Sequence, residues 1–337
     1  MKVLLFDTTN AFLTPGGKTT HALKLQQELS KLGVEVEFVR WWDESQSDCD
    51  IIHFLATNTS VAKLAQARGK KTVLNLIFDF ESSKSGKEQL KAKLKNKLAG
   101  IIPFVTDRAY WHSFPYFNKI IFMHEYDRQA ALRYFPQLSI SNTLIIPHAY
   151  DPADMYLLNH LNITEINLPT KYLISCAHIS QRKQSILLAQ YAKQAQVPIV
   201  FIGGGTATDK YFQAFQKEID NRYVYYPGYV SKEWKDCIEQ NAAGFVLLSQ
   251  GESGCISVYE AAAYKLPIML SNLPWAWGYE NPTDIKFCDL YNDKAAIQQI
   301  KTFYDQSKKL DHYPFKIHTW QEIAEKYLNL YKELINK

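Results

Sequence analysis

Glu252 and Glu260 stand eight positions apart within GESGCISVYEAAAYKLPIML. On a helix of 3.6 residues per turn that spacing turns through about 80°, so two carboxylates can face one ligand. Gly251, Ser253 and Gly254 are poor residues for a helix interior, which puts Glu252 in a loop and Glu260 about two turns inside the following helix. Between them, Cys255, Ile256 and Ser257 offer the free N–H groups of a first helical turn, a ready site for phosphate. Carboxylates on both sides of an anion site suit a ligand with hydroxyls at each end and charge in the middle, as in a sugar nucleotide. Alone, the two acids also fit a surface loop followed by an amphipathic helix.

The elements that would position them come in two α/β series. In the first, KVLLFD, VEVEFV, DIIHFLA, KTVLNLIF, IIPFVTD, KIIFMHE and NTLIIPHA read as strands. Helices are expected from Thr20 to Gly33 and near Tyr126 to Tyr134. A polar, Pro-containing stretch then interrupts the pattern around residues 148–170. The second series runs through the strands KYLISCAHI, VPIVFIGG, YVYYPG, GFVLLS, PIMLS and IKFCD, with helices at SILLAQYAKQA, near Lys232 to Gln240, and at the two glutamates. Strands separated by helical crossovers imply parallel, doubly wound sheets. HTWQEIAEKYLNLYKELI closes the chain as an aromatic-rich amphipathic helix.

The segment around Glu252 and Glu260 resembles the E-x7-E signature of the retaining nucleotide-sugar glycosyltransferases of family 4, which have the GT-B fold. EAAAYKLPIMLS is similar to that family's EAMACGLPVIAS, with Lys265 where Gly is usual. The resemblance implies two Rossmann-like domains facing a cleft: 1–160 for the acceptor, 161–312 for the donor, and a helix in 313–337 returning to the first domain, with Trp320 at a frequent family position. It implies that Glu252 holds hydroxyls of the transferred sugar, and Glu260 the ribose.

Other segments carry the resemblance further. TPGGKTT, with Gly16 and Gly17, is similar to the family's amino-terminal GG loop near the donor diphosphate; it is neither a P-loop nor a dinucleotide fingerprint. CAHISQRKQ looks like the GRLSPEKG segment whose Arg and Lys clamp the leaving diphosphate. Lys183 falls on the Lys, and His178 on the Arg position, so either Arg182 supplies the guanidinium or His178 serves as a partial cation. Fixed cations are needed there because diphosphate departure builds negative charge. FIGGGTATD, including Gly204, resembles the GDGP-type loop. YPGYVSKEW resembles the region whose backbone, around Tyr229 and Val230, meets the base; Tyr229 either stacks on it or is a core tyrosine. The usual acceptor-side His-Asp pair is replaced by Phe78-Asp79, leaving His112 and His124, near strand ends, as acceptor-side candidates.

Bulk properties fit a globular protein. The chain has 337 residues, 47% hydrophobic, and a net charge of only +4, weak for a nucleic-acid binder. Five Cys in no paired spacing argue for reduced thiols without structural zinc. MKVLLFDTTN reads as a strand and not a signal peptide, and there is no run of about 18 apolar residues, so a cytoplasmic protein is expected. Six lysines between Lys84 and Lys97 flank Leu90, Leu94 and Leu98: a basic amphipathic helix that either lies on an anionic membrane face or buries its leucines in its own domain.

The expected function is therefore retaining, metal-independent transfer of a sugar from a nucleoside diphosphate, with a UDP or GDP sugar as donor and no cofactor. The acceptor would be a hydroxyl of a saccharide, glycan or lipid-linked acceptor, in polysaccharide or glycolipid assembly. No D-x-D pair stands out as a metal site, since DCD at Asp48 to Asp50 precedes a strand. The competitors are a sugar-nucleotide epimerase on the same fold and a non-catalytic sugar-nucleotide-binding subunit. A pyridoxal phosphorylase and an NAD enzyme lack their motifs.

Overall fold

The computed structural model describes residues 1–8, 16–78, 83, 87–88, 90–91, 94, 110–152, 161–279 and 284–336. The chain divides into two compact units, residues 1–149 with 318–337, and residues 150–317.

The first unit is a six-stranded parallel sheet in the order β2-β1-β3-β4-β5-β6. Its strands are β1 (Lys2–Phe6), β2 (Glu35–Phe38), β3 (Ile51–Phe54), β4 (Lys71–Asn75), β5 (Lys119–Phe122) and β6 (Thr143–Ile145). Continuous burial of Val3 to Phe6 and of Thr72 to Asn75 is what a sheet covered on both faces demands. One face packs on α1 (Gly17–Lys31) and the carboxy-terminal helix, the other on α2 (Thr59–Ala67), α3 (Glu125–Tyr134) and the 3-10 segment Tyr110–Tyr116. α1 ends where Gly33 takes φ +80°, a left-handed conformation that glycine adopts without steric cost. The predicted strand IIPFVTD lies outside the described residues.

The second unit repeats the architecture, in the order β12-β11-β10-β7-β8-β9 with every pair parallel. Its strands are β7 (Leu173–Cys176), β8 (Ile199–Ile202), β9 (Val224–Gly228), β10 (Gly244–Leu247), β11 (Ile268–Ser271) and β12 (Ile285–Cys288). Its helices are α4 (Ser185–Ala195), α5 (Lys210–Gln216), α6 (Lys232–Asn241), α7 (Ile256–Ala263) and α8 (Asp293–Gln306). α5 and α8 have no counterpart among the helices expected from sequence. α5 is only seven residues long and buries Phe212 and Phe215, whereas α8 buries the narrow stripe Ala296, Ile300 and Phe303 of a longer, mostly polar helix.

The closing helix, α9 (Trp320–Ile335), belongs to the first unit. A capping box starts it: Glu322 N–H donates to Thr319 Oγ1 at 3.2 Å, and Thr319 N–H to Glu322 Oε2 at 2.9 Å. Its buried face is Trp320, Ile323, Ala324, Tyr327, Leu330, Tyr331 and Leu334, the i, i+3, i+4, i+7 spacing of one helical stripe.

Fold class is thus α/β with two parallel six-stranded sheets flanked by helices. Phe78, at the position where a His was sought, is buried against Phe122, Tyr134 and Phe135. Asp79 and most of Lys84 to Lys97 lie outside the described residues; Leu90 and Leu94, which are described, are exposed. Among the described residues no helix is long and apolar enough to cross a membrane.

Candidate active site

The site is assembled in the second unit where two loops meet. Gln181 to Gln184 form a turn between β7 and α4, closed by Gln184 N–H donating to Gln181 O at 3.1 Å. Arg182 and Lys183 are its central residues. The loop after β10 is joined to it: Gln250 N–H donates to Arg182 O at 2.9 Å, and the Arg182 guanidinium donates to Gly251 O at 2.8 Å.

These links bring Glu252 between both cations. Its Oε1 lies 2.6 Å from Lys183 Nζ and 2.8 Å from Arg182 Nη1, and accepts from Ser249 Oγ at 2.5 Å. Glu252 and Lys183 are buried, whereas the Arg182 side chain is 33% exposed. Burial alone would raise the Glu252 pKa, but Lys183, Arg182 and the Ser249 hydroxyl overcome it and hold the carboxyl below its ordinary range. Burial likewise opposes the Lys183 ammonium, yet the Cys255 sulfur and Glu252 keep its pKa above the usual value. Both groups are therefore charged at neutral pH.

Gly254 follows with φ +63°, and Cys255 is the N-cap of α7. The Cys255 sulfur is 3.8 Å from Lys183 Nζ and 3.1 Å from Ser257 Oγ; burial pushes its thiol pKa up. Ile256 and Ser257 form the first turn. Glu252, Lys183, Arg182, Cys255 and Ser257 thus cluster at one helix N-terminus.

Glu260 lies within α7, buried and held by Lys235 of α6 at 2.5 Å. Lys235 was not singled out in the sequence, and it sits in a dense group of charges. Asp236 is paired with Lys232 and accepts from Tyr150 Oη at 2.6 Å. Glu239, one turn beyond Lys235, is fully buried, with the weakly donating Cys176 thiol beside its carboxyl. Burial first, and then Glu260 and Asp236, push its pKa well up, against Lys235. The only sequence signal was the i, i+4 spacing of Lys235 and Glu239 on a capped amphipathic helix.

His178 is exposed, and a Cβ on Gly204 would come within 3.8 Å of its Nδ1. Arg182, and not His178, joins Lys183 around Glu252. In the GGG turn Gly203 cannot carry a side chain, since a Cβ there would lie 2.0 Å from Ala177 O, and a Cβ on Gly205 would run into the Phe212 ring at 2.1 Å; Gly204 alone of the three has room. Tyr229 is 76% exposed, so it is no core tyrosine; Val230 beside it is half-buried.

Four candidates lie in the first unit. Gly16 caps α1 in an extended conformation, and Gly17 opens the helix. His112 is in the 3-10 segment Tyr110–Tyr116, with Nε2 buried and unpartnered, and His124 is buried at the N-cap of α3. The DCD acids serve structure: Asp48 pairs with Lys2 at 2.8 Å, and Asp50 accepts from Lys2 N–H at 2.8 Å. Among the described residues no group of His, Cys, Asp and Glu could hold a metal ion. A cavity of about 420 Å³ beside α8, lined by Met269, Phe287, Thr302 and Phe303, includes none of the candidates.

Residues 159–314 match the family described as glycosyl transferases group 1. That match lies wholly within the second unit and leaves only the flanks of the unit uncovered. No curated protein sequence matches the chain. Sucrose-phosphate synthase from Thermosynechococcus elongatus aligns over 99% of both chains, with TM-score 0.76 and 13% identity. HepE of Anabaena, solved with UDP and glucose, aligns over 100% of this chain and 98% of its own, with TM-score 0.65 and 13% identity. AviGT4, a glycosyltransferase of avilamycin A biosynthesis, gives TM-score 0.62 at 14% identity over 99% and 98%. At such identities these likenesses establish the fold, which is GT-B.

Proposed function

We propose that the chain is a retaining glycosyltransferase of hexosyltransferase type, moving a sugar from a nucleoside diphosphate to a saccharide, glycan or lipid-linked hydroxyl. The observation that carries this is the buried Glu252 carboxylate held by Lys183 and Arg182 at the α7 N-terminus, with Glu260 further along the same helix. A departing diphosphate needs fixed positive charge, and this place offers two cations and a helix N-terminus. Arg182, partly exposed, would exchange its bonds to Glu252 and Gly251 O for a phosphate, while Lys183 stays buried beside the carboxylate. Glu252 then has an acceptor oxygen for sugar hydroxyls, and Glu260, steadied by Lys235, one for the ribose.

The group 1 match and neighbours solved with UDP and glucose support a UDP sugar as first choice of donor, with GDP sugars next. With two protein cations at the diphosphate position, transfer proceeds without a metal ion. The route is reaction on one sugar face, the leaving phosphate assisting deprotonation of the acceptor. The chain would work in polysaccharide or glycolipid assembly in the cytoplasm or on the inner face of a membrane.

The test is a panel of UDP-, GDP-, ADP- and CMP-sugars, followed by NMR for nucleotide release without acceptor. Slow hydrolysis of one donor, persisting in EDTA and lost in Glu252→Ala, is expected. An absolute Mg²⁺ requirement or a product of inverted anomeric configuration would overturn the mechanism. Silence across the panel, with no nucleotide raising the melting temperature, would reduce the chain to a non-catalytic protein.

A further inference from the structure

Directly after β2, residues Arg40 to Asp43 form a turn closed by Asp43 N–H donating to Arg40 O at 3.1 Å. Its two central residues are Trp41 and Trp42, 61% and 98% exposed. Large apolar side chains left in water mark interaction sites when the chain holds them there. Here it does. Gln46, itself buried, accepts from Arg40 N–H at 2.7 Å, and donates to Glu37 at 2.7 Å and to Phe38 O at 3.0 Å. The Arg40 guanidinium pairs with Glu37 at 2.8 Å and with Asp43 at 2.6 Å. The turn is braced before any ligand arrives, so little ordering cost remains.

Its place in the sheet is equally specific. β1 and β3 are neighbours, with β2 on one side and β4 to β6 on the other, so the strand order reverses between them. Open α/β sheets bind ligands outside the carboxyl ends of the strands at such a reversal. Phe6 and Phe54 end β1 and β3, with ring centroids 4.8 Å apart, and Trp41 stands edge-on to Phe6 at 5.6 Å. Trp41 therefore rests on the reversal point, and Trp42 next to it is open to solvent.

The charge around the turn selects the ligand. Between residues 37 and 44, Glu37, Asp43 and Glu44 outweigh Arg40. Net negative charge repels a diphosphate and an anionic lipid surface, which basic segments recognise. A neutral ligand with hydroxyls at its rim and an apolar face remains: a pyranose ring, whose C–H face lies against the indole plane while carboxylates accept from its hydroxyls.

We propose that Trp41 and Trp42 form a saccharide platform, the acceptor subsite of the first unit. Its role as acceptor subsite rests on the transferase reading, but its affinity for sugar does not need a donor. The test uses the full chain without nucleotide, titrated with maltose, cellobiose, lactose and N,N′-diacetylchitobiose, followed by tryptophan fluorescence and saturation-transfer NMR. At least one disaccharide is expected to saturate, and Trp42→Ala to weaken it about tenfold, with Trp41→Ala acting in the same direction and Trp42→Phe retaining most of the affinity. Trp277→Ala, at another exposed tryptophan, should leave binding unchanged. No saturable binding of any of the four sugars, or binding indifferent to Trp42→Ala, would overturn the proposal. So would Trp42-dependent pelleting with phosphatidylcholine–phosphatidylglycerol vesicles, which would assign the patch to a membrane. Because no donor is present, a silent donor panel would sink the transferase reading and leave this result standing.

Discussion

Lowering the pH from 7.5 to 5 should destabilise the first unit through histidines that its core holds neutral. His53 Nδ1 is 2.6 Å from Tyr331 Oη, and its Nε2 is 3.0 Å from Asn75 Oδ1. Asn75 Nδ2 in turn reaches His21 Nε2 at 3.0 Å and donates to Tyr327 Oη at 2.7 Å. With Asn75 so oriented, His53 donates from Nε2 and accepts at Nδ1, and His21 accepts at Nε2. A second proton on His21 Nε2 would meet the Asn75 amide donor where it needs an acceptor, and one on His53 Nδ1 would make the Tyr331 hydroxyl give up its donated bond and accept instead. Burial dominates the energetics, lowering the pKa of His21 to about 3, with His53 adding to the effect, and that of His53 to about 4 against the opposing Asn75 hydrogen bond. His148, 5.2 Å from the His21 ring, is lowered in the same direction by burial and by His21 and His124.

Because these folded-state values lie below the unfolded value of about 6.5, the unfolded chain binds more protons. Stability is then complete above pH 6.5 and is lost as pH falls toward 4 and 3. At pH 5 each of the two residues costs about 1.5 pH units times 1.36 kcal/mol, roughly 2 kcal/mol, or about 4 kcal/mol together. For a unit of this size that lowers the melting temperature by about 8–16 °C. Carboxylates titrate in the same interval, so the decisive quantity is a difference. His53→Gln should shrink the gap in unfolding free energy between pH 7.5 and 5 by about 2 kcal/mol relative to wild type. Melts followed by circular dichroism supply that gap, and ¹⁵N–¹H spectra of the rings supply the protonation state directly. Midpoints near 6.5 for His21 and His53, or an unchanged gap in His53→Gln, would refute the reasoning.

Further outcomes follow from the second unit. Glu252→Gln should cost about 3–5 kcal/mol because it strands the buried Lys183 ammonium, and Glu252→Gln with Lys183→Met should recover much of that; equal melting temperatures for wild type and the single variant would contradict the pairing. Glu239→Gln should stabilise the fold at pH 7 by about 1–3 kcal/mol, a gain that fades toward pH 4.5, since a carboxyl whose folded pKa is raised costs stability as pH climbs above its unfolded value; urea titrations at the two pH values decide it. Lys235→Met frees Glu260 from its partner, so the donor KM should rise about tenfold, and an unchanged KM would exclude a positioning role for Lys235. Lys265 holds φ +56°, so Lys265→Val should cost about 1–2 kcal/mol and Lys265→Gly clearly less, compared by thermal melts.

Strand-forming runs such as KVLLF and IMLS were legible because burial on both faces of a parallel sheet requires unbroken apolar stretches. Helices α5 and α8 were not, since α5 has only seven residues in which to show a helical period and α8 buries only a narrow stripe of Ala296, Ile300 and Phe303. The glycine habit at position 265 was visible as a departure from the resembled motif; its reason, a left-handed backbone, came from the structure. The same holds for the GGG turn, where Gly203 and not Gly204 is sterically obligatory.

The sequence by itself determined the α/β alternation, the Glu252–Glu260 spacing on a loop and the helix behind it, and the adjacency of Arg182 and Lys183. Each of these is encoded within a few residues of chain, where propensity and periodicity operate. Tertiary structure alone decided which cation reaches which carboxylate: Lys183 and Arg182 on Glu252 across some 70 residues of chain, and Lys235 on Glu260 from a separate helix. It also decided that Tyr327 and Tyr331 of the last helix complete a histidine network begun at His21 and His53, with Tyr331 lying 278 positions from its partner. Such contacts exist because buried polar groups must be paired, and no local pattern names a partner that only the packing of two distant elements supplies.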